Sequence, residues 1–397
     1  MFKSVFFYKN YNTYLFLVFI LWIISITSYF FLNEFVKAGG LENGVKYGTD
    51  THFYLNEVKK ILNETGSFLD VKSKFGFILF LTPFVYFDIP FIFIVFFQLI
   101  LTAFSALCLY KITSKFFCKA SGVICVALFL FYFPIQIRNF YILTEMLFID
   151  IVIIISYLIV FYKRIYLPLI ILLILVLISL RPNGILYLFS IIFCSIIYFI
   201  KLKRYLYLII YFIFVLILWV PIINLLNSYL VDLNLIDGIS NKGIIWGWSF
   251  EEDKPCRVSC LGVELINENY KNNVTDILKF IFRNFINFFK IFLLKVFWLL
   301  ARVRPYYSDL HNYYILIFNL LFYLGFLYGF TKRPIKSFSV NIIVMFILLS
   351  ITLVGLTFAD WSGRFSLYFL PLIMIFSSYG ILIFFKNFFS IFLSKKL

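Results

Sequence analysis

The chain reads as an all-α integral membrane protein that crosses a bilayer about ten times, and three observations lead there. Of its 397 residues 63% are hydrophobic and 14% charged, with mean hydropathy +1.00, whereas about a quarter of a soluble protein is charged. Apolar runs close to the roughly 20 residues that span a bilayer recur from end to end. The net charge of +16 is concentrated in short patches free of acid: Lys3 and Lys9; Lys111, Lys115 and Lys119; Lys163 and Arg164; Lys201, Lys203 and Arg204; Lys332, Arg333 and Lys336; Lys386, Lys395 and Lys396. The other 19 basic residues share their segments with all 19 acidic ones. Such alternation is the positive-inside pattern. It excludes a soluble domain and accounts for the charge without a nucleic-acid partner.

Taken in order, the spans fall near 12–32, 89–110, 120–137, 142–162, 165–181, 184–200, 205–226, 313–330, 338–357 and 365–385. Residues 14–32 lack a small-residue cleavage site, so they are expected to stay as the first helix rather than leave as a signal peptide. The charge rule places both termini in the cytoplasm and two large loops, 33–88 and 227–312, outside. The chain forms one integral membrane domain over 1–397, and no internal repeat or linker divides it.

Two apolar stretches are not read as spans. "KFGFILFLTPFVYFDIP" is short and holds prolines, so it is expected to lie in the interface or re-enter. In 276–305, Lys279, Arg283, Asn287 and Lys290 make one polar stripe at helical spacing, and an interfacial amphipathic helix fits this better than a span.

Residues 49–66 form an amphipathic helix in the first outer loop. Thr49 or Asp50 serves as N-cap and Gly66 as stop. Tyr54, Leu55, Val58, Ile61 and Leu62 make its apolar face, opposite Asn56, Glu57, Lys59, Lys60 and Asn63. Asp50 at the positive end of the helix dipole is favoured as a carboxylate. It is either an ordinary cap or a base or cation ligand at the outer bilayer face. His52 and Glu57 are weaker candidates, and no His/Cys set with metal-ligand spacing is present. Glu145 and Asp150 stand in the outer half of a span, where ionisable groups are expensive and face polar cavities. A functional role is expected for Glu145; either acid alternatively pairs with Arg138 or Arg181. His311 reads as a boundary residue.

The order of these features resembles the C-type (GT-C) membrane glycosyltransferases of family 39, relatives of the protein O-mannosyltransferases and bacterial aminoarabinose transferases. "GTDTHFYLNEVKKILNETGSF" is similar to that family's acid-then-tyrosine stretch, "YILTEMLFIDIVIIISYLIV" to its fourth helix, "LISLRPNGILYLF" to its fifth helix ending in Arg-Pro, and "RFSLYFLP" to the start of a late helix. Two departures stand out: a single Asp50 where many members carry paired acids, and a second loop without an evident soluble domain. The resemblance implies transfer, inverting in outcome, of a sugar from a polyprenyl-phosphate donor to a lipid, glycan or protein acceptor at the outer face of the cell membrane. Asp50 takes the catalytic position, supported by Tyr54, Glu57, Glu145 and His52. The leaving polyprenyl phosphate needs cations, and Arg181, Arg364, Arg302 and Arg304 all lie at the outer boundary, where a guanidinium fork suits phosphate. Any of them alternatively snorkels or pairs with an acid such as Asp360. No residue pattern specifies a cofactor, although a divalent cation is compatible with the donor. Cys108, Cys118, Cys125 and Cys194 are expected to be inert, while Cys256 and Cys260 in "CRVSC" are a candidate outer-loop disulfide. Two other classes compete: a flippase for lipid-linked glycans, which calls for repeated halves or charges deep in several helices, and a glycan polymerase or ligase.

Overall fold

The computed structural model describes residues 11–35, 45–66, 74–206, 245–246, 273–304, 307–332, 337–357, 359–360 and 363–394, with isolated positions between 209 and 227. Among them the elements run α1 (Tyr11–Phe35), α2 (Thr49–Leu62), α3 (Phe75–Tyr86), α4 (Ile92–Phe116), α5 (Lys119–Leu130), α6 (Phe133–Gln136) with a 3-10 turn Ile137–Phe140, α7 (Thr144–Val160), α8 (Leu167–Leu180), α9 (Ile185–Lys201), β1 (Ile245–Trp246), α10 (Val274–Arg283), α11 (Phe285–Ala301), α12 (Asp309–Thr331), α13 (Phe338–Leu356), β2 (Ala359–Asp360), α14 (Arg364–Leu367) and α15 (Leu370–Ser394). The only sheet among the described residues is the two-residue parallel pair β1–β2.

Among the described residues five helices are long and apolar enough to cross a membrane: Ile92–Phe116, Pro182–Lys201, Asp309–Thr331, Phe338–Leu356 and Leu370–Asn387. Two bent pairs raise this to seven if each is one span: Lys119–Leu130 with Phe133–Phe140, bent by 59°, and Thr275–Arg283 with Phe285–Ala301, bent by 103°. The expected spans at 12–32, 142–162 and 165–181 coincide with α1, α7 and α8, and 205–226 lies largely outside the described residues. The stretch 276–305 differs from expectation. It is not one amphipathic helix but two, α10 and α11, because the ladder stops at Asn284, whose side chain turns back to the Phe280 carbonyl. The stripe of Lys279, Arg283, Asn287 and Lys290 is therefore split across the bend. The proline-containing stretch is a continuous short helix, α3, with Pro83 inside it.

The chain divides into two compact units, Met1–Tyr187 with Leu321–Ile343 and Leu367–Leu397, and Leu188–Leu320 with Val344–Ser366. In the first, α4 packs between α5 and α7, α5 is flanked by α1 and α15, and α3 bridges α2 to α8. The polarity of α4 is that of a membrane helix. Ile100 is 66% exposed and Phe97 and Phe104 are nearly half exposed, while Gln98, Thr102 and Ser105 are buried. Apolar side chains face lipid and the polar ones seek partners inside. The α12–α15 crossing is built on small residues. Gly325 and Gly329 meet Gly380 and the Phe376 carbonyl so closely that any Cβ there would clash with backbone. In the second unit α11 packs against β2, and buried Lys295 donates to the Thr357 carbonyl, just past the last turn of α13.

Candidate functional site

The site in the first unit starts from the fixing of α2. Its N-cap is Gly48, not Thr49 or Asp50: the Thr51 hydroxyl accepts from the Gly48 N–H at 3.0 Å and donates to the Ile142 carbonyl at 3.0 Å. A residue inside the first turn supplies the oxygen that the sequence reading assigned to a preceding one. Asp50 is thereby released from the capping role but stays in the first turn, half-buried, at the positive end of the helix. The strand-like approach to α2 is held by the Lys46 N–H on the Phe140 carbonyl at 2.7 Å. Lys46 is largely buried over the Tyr141 ring, and burial lowers its pKa. One turn into α2, Tyr54 and Val58 are buried as the apolar face requires, and the Tyr54 ring meets Phe77 edge-on at 4.9 Å.

Glu145 and Arg181 form a buried ion pair, with Arg181 Nη2 2.8 Å from Glu145 Oε1. Local sequence explains both positions. Pro182 forces Arg181 into extended backbone at the end of α8, and Glu145 occupies the first turn of α7, where a carboxylate suits the helix dipole. Arg181 Nε also donates to the Thr144 hydroxyl, and the guanidinium lies over the Tyr368 ring at 5.3 Å, which itself packs on Phe148. Of the two expected alternatives for Glu145, the Arg181 pairing is the one found.

These groups bear electrostatically on Tyr54. Burial raises its phenol pKa well above the ordinary value. Arg181 and the Thr144 hydroxyl oppose that rise, while Glu145 and Asp50 add to it. Among the described residues the buried hydroxyl makes no hydrogen bond of ordinary geometry. Asp50, Glu145 and Arg181, from three distant segments, thus all act on one neutral phenol. His52 and Glu57 do not join them: His52 is exposed and stacks on Tyr47, and Glu57 pairs with Lys60 at 2.6 Å on the outer side of α2.

The second unit gathers the other arginines. Arg302 ends α11 in the left-handed region at φ 59°, and Arg304 is buried, with Nη1 donating to the carbonyls of Trp298 and Val303. Asn312 clamps the Arg304 backbone by exchanging hydrogen bonds of 2.9 Å with its N–H and C=O. Gly363, at φ +69°, lies under both guanidiniums. A Cβ there would sit 3.2 Å from Arg302 Nε and 3.4 Å from Arg304 Nη2. Arg364 follows, half-buried, at the start of α14. Gly363 thus lets its backbone approach the side chains of both Arg302 and Arg304, where a larger residue would press on them.

Among the described residues no three His, Cys, Asp or Glu side chains gather as a metal site requires. Cys108, Cys118, Cys125 and Cys194 are free thiols, and Cys256 and Cys260 lie outside the described residues. His311 stacks on Tyr307 with ring centres 4.4 Å apart. The sequence alone assigned no site role to Thr144, Tyr368 or Gly363. The first two stand inside the "LTEM" and "SLYF" segments already singled out, whereas nothing local marks Gly363, whose partners are some sixty residues away. No family model matches the chain, and no curated protein matches it.

Proposed function

We propose that the chain is a membrane-embedded glycosyltransferase that moves a sugar from a polyprenyl-phosphate donor to a lipid, glycan or protein acceptor at the outer face of the cell membrane. The reading keeps the GT-C architecture of about ten spans, with both termini cytoplasmic and the two large loops outside. The observation that carries it is the buried Glu145–Arg181 ion pair, which together with Asp50 bears electrostatically on Tyr54 in the first unit. Each of the three comes from a separate motif of the expected series.

The chemistry follows from the groups present. The acceptor oxygen attacks the anomeric carbon, the bond to the phosphate oxygen breaks, and the acceptor proton passes to Asp50 as general base. Tyr54 stays a neutral phenol, so it serves as a hydrogen-bond donor rather than a base. Arg181, oriented by Glu145 and Thr144, carries the positive charge of this cluster toward developing phosphate charge. The arginines about Gly363, in the second unit, are another candidate for holding phosphate.

Membranes containing the protein, supplied with defined polyprenyl-phosphate sugars and mixed acceptors, should release the lipid phosphate and form a glycosylated product. Movement of the donor between leaflets with no product formed would favour the flippase reading and remove this one.

A further inference from the structure

Beneath the turn that receives α2 runs a buried polar chain that the mechanism above does not use. Asp150, in the second turn of α7, is wholly buried, and so are Thr102, Gln136 and Asn139 to within a few per cent. Thr102 Oγ1 lies 2.9 Å from Asn139 Oδ1 and 3.3 Å from Asp150 Oδ2. Asn139 Nδ2 donates to Gln136 Oε1 at 3.0 Å, and Gln136 Nε2 donates to the Phe129 carbonyl at 3.0 Å. Five residues on α4, α5, α6, α7 and the 3-10 turn are joined in sequence.

Counting hydrogens gives this chain a direction. Both amides point their NH2 groups toward the Phe129 end, so Asn139 Oδ1 is left as an acceptor, and the single hydroxyl hydrogen of Thr102 fills it at the shorter of its two contacts. Thr102 then has no hydrogen for Asp150, and their contact is a bond only if the carboxyl donates. Among the described residues the other groups acting on Asp150 are uncharged: the Ser105 hydroxyl bears on it, the Cys108 thiol of α4 interacts with it electrostatically, and no Lys or Arg acts on it. A carboxylate without a cation is strongly disfavoured in the membrane interior, whereas a carboxylic acid is tolerated there.

The far side of the chain reaches the first outer loop. Asn139 belongs to the turn whose Phe140 carbonyl accepts the Lys46 N–H, and the adjoining Ile142 carbonyl accepts the Thr51 hydroxyl that closes the start of α2. Gln98, one turn before Thr102 on α4, holds the Tyr141 carbonyl at 3.2 Å. We infer that Asp150 is a neutral acid heading a one-way hydrogen-bond chain through Thr102, Asn139 and Gln136, and that this chain is the anchor positioning residues 137–142 and hence Asp50. Asp150 is a positioning residue, and its bearing on transfer rests on the proposed role of Asp50, whereas the anchor itself does not.

Two measurements on the purified full chain in lipid nanodiscs test it. Infrared spectra should contain the carbonyl band of a buried carboxylic acid, shifted in D2O and absent from Asp150→Asn; no such band, or its persistence in that variant, overturns the neutral acid. Amide exchange at Lys46 should stay slow in Asp150→Asn, whose amide still donates to Thr102, and quicken about tenfold in Thr102→Val, which removes the middle link while keeping the side-chain shape. Exchange at Lys46 as slow in Thr102→Val as in the wild type overturns the anchor. Faster exchange with transfer unchanged would keep the anchor and strike out the role of Asp50, so the two proposals fail separately.

Discussion

Tyr54 carries a buried hydroxyl that makes no hydrogen bond of ordinary geometry among the described residues, with charged groups acting on it, an arrangement that costs stability and is kept where the group has a task. A buried unsatisfied hydroxyl costs about 1–3 kcal/mol, so Tyr54→Phe should leave thermal stability in detergent unchanged or raise it slightly. Transfer should meanwhile fall by about tenfold or more, the scale on which donors to developing charge act. A clear drop in melting temperature would show that the hydroxyl is structural. Residue-level legibility was uneven for a physical reason. Glu145 and Arg181 could be singled out because an ionisable group in an apolar run demands a partner. The Gly48 cap could not, since it depends on a Thr51 hydroxyl shared with Ile142, ninety residues downstream. Gly363 is marked only by where Arg302 and Arg304 end up.

Helices were legible wherever one physical signal dominated. Long apolar runs became α4, α12, α13 and α15 because nothing in them competes with a span. The failures occur where two signals conflict. In 276–305 the spacing of Lys279, Arg283, Asn287 and Lys290 fits one helix, yet Asn284 bonds back to its own preceding turn and the axis bends by 103°. Side-chain-to-backbone competition of this kind is invisible to a periodicity count. The α12–α15 crossing offers a direct check on element packing. Gly329→Leu puts a branched side chain against the Phe376 carbonyl, where even a Cβ collides. Overpacking typically costs 1–3 kcal/mol, so the variant should lose roughly that much stability in detergent. A melting temperature within error of the wild type would mean that the helices do not cross at this glycine.

For the whole molecule, charge distribution is the strongest source of orientation. Sixteen acid-free Lys and Arg residues set one side, which predicts that 111–119 and 201–204 face the cytoplasm and 240–275 the outside. In single-cysteine scanning of intact cells, a cysteine at position 242 should react with an impermeant reagent and one at 203 should be protected; reversed labelling would invert the orientation. The class of molecule was legible because hydropathy and charge are sums over many residues. The ten-span count rests also on α1, α7 and α8, whose apolar stretches are short or interrupted by buried polar groups, and on 205–226, which lies largely outside the described residues.

Asp50→Asn in the transfer assay, at matched protein level, is the most direct measurement. With Gly48 and Thr51 closing the helix start, the amide disturbs no cap and keeps the shape of the side chain, so folding and donor binding should be preserved. Loss of a general base alone is worth about 10²–10⁴-fold in rate. Sugar transfer reduced by that factor, with unchanged melting and unchanged donor binding, is the expected result. Transfer within about twofold of the wild type, well outside that range, would contradict Asp50 as the base.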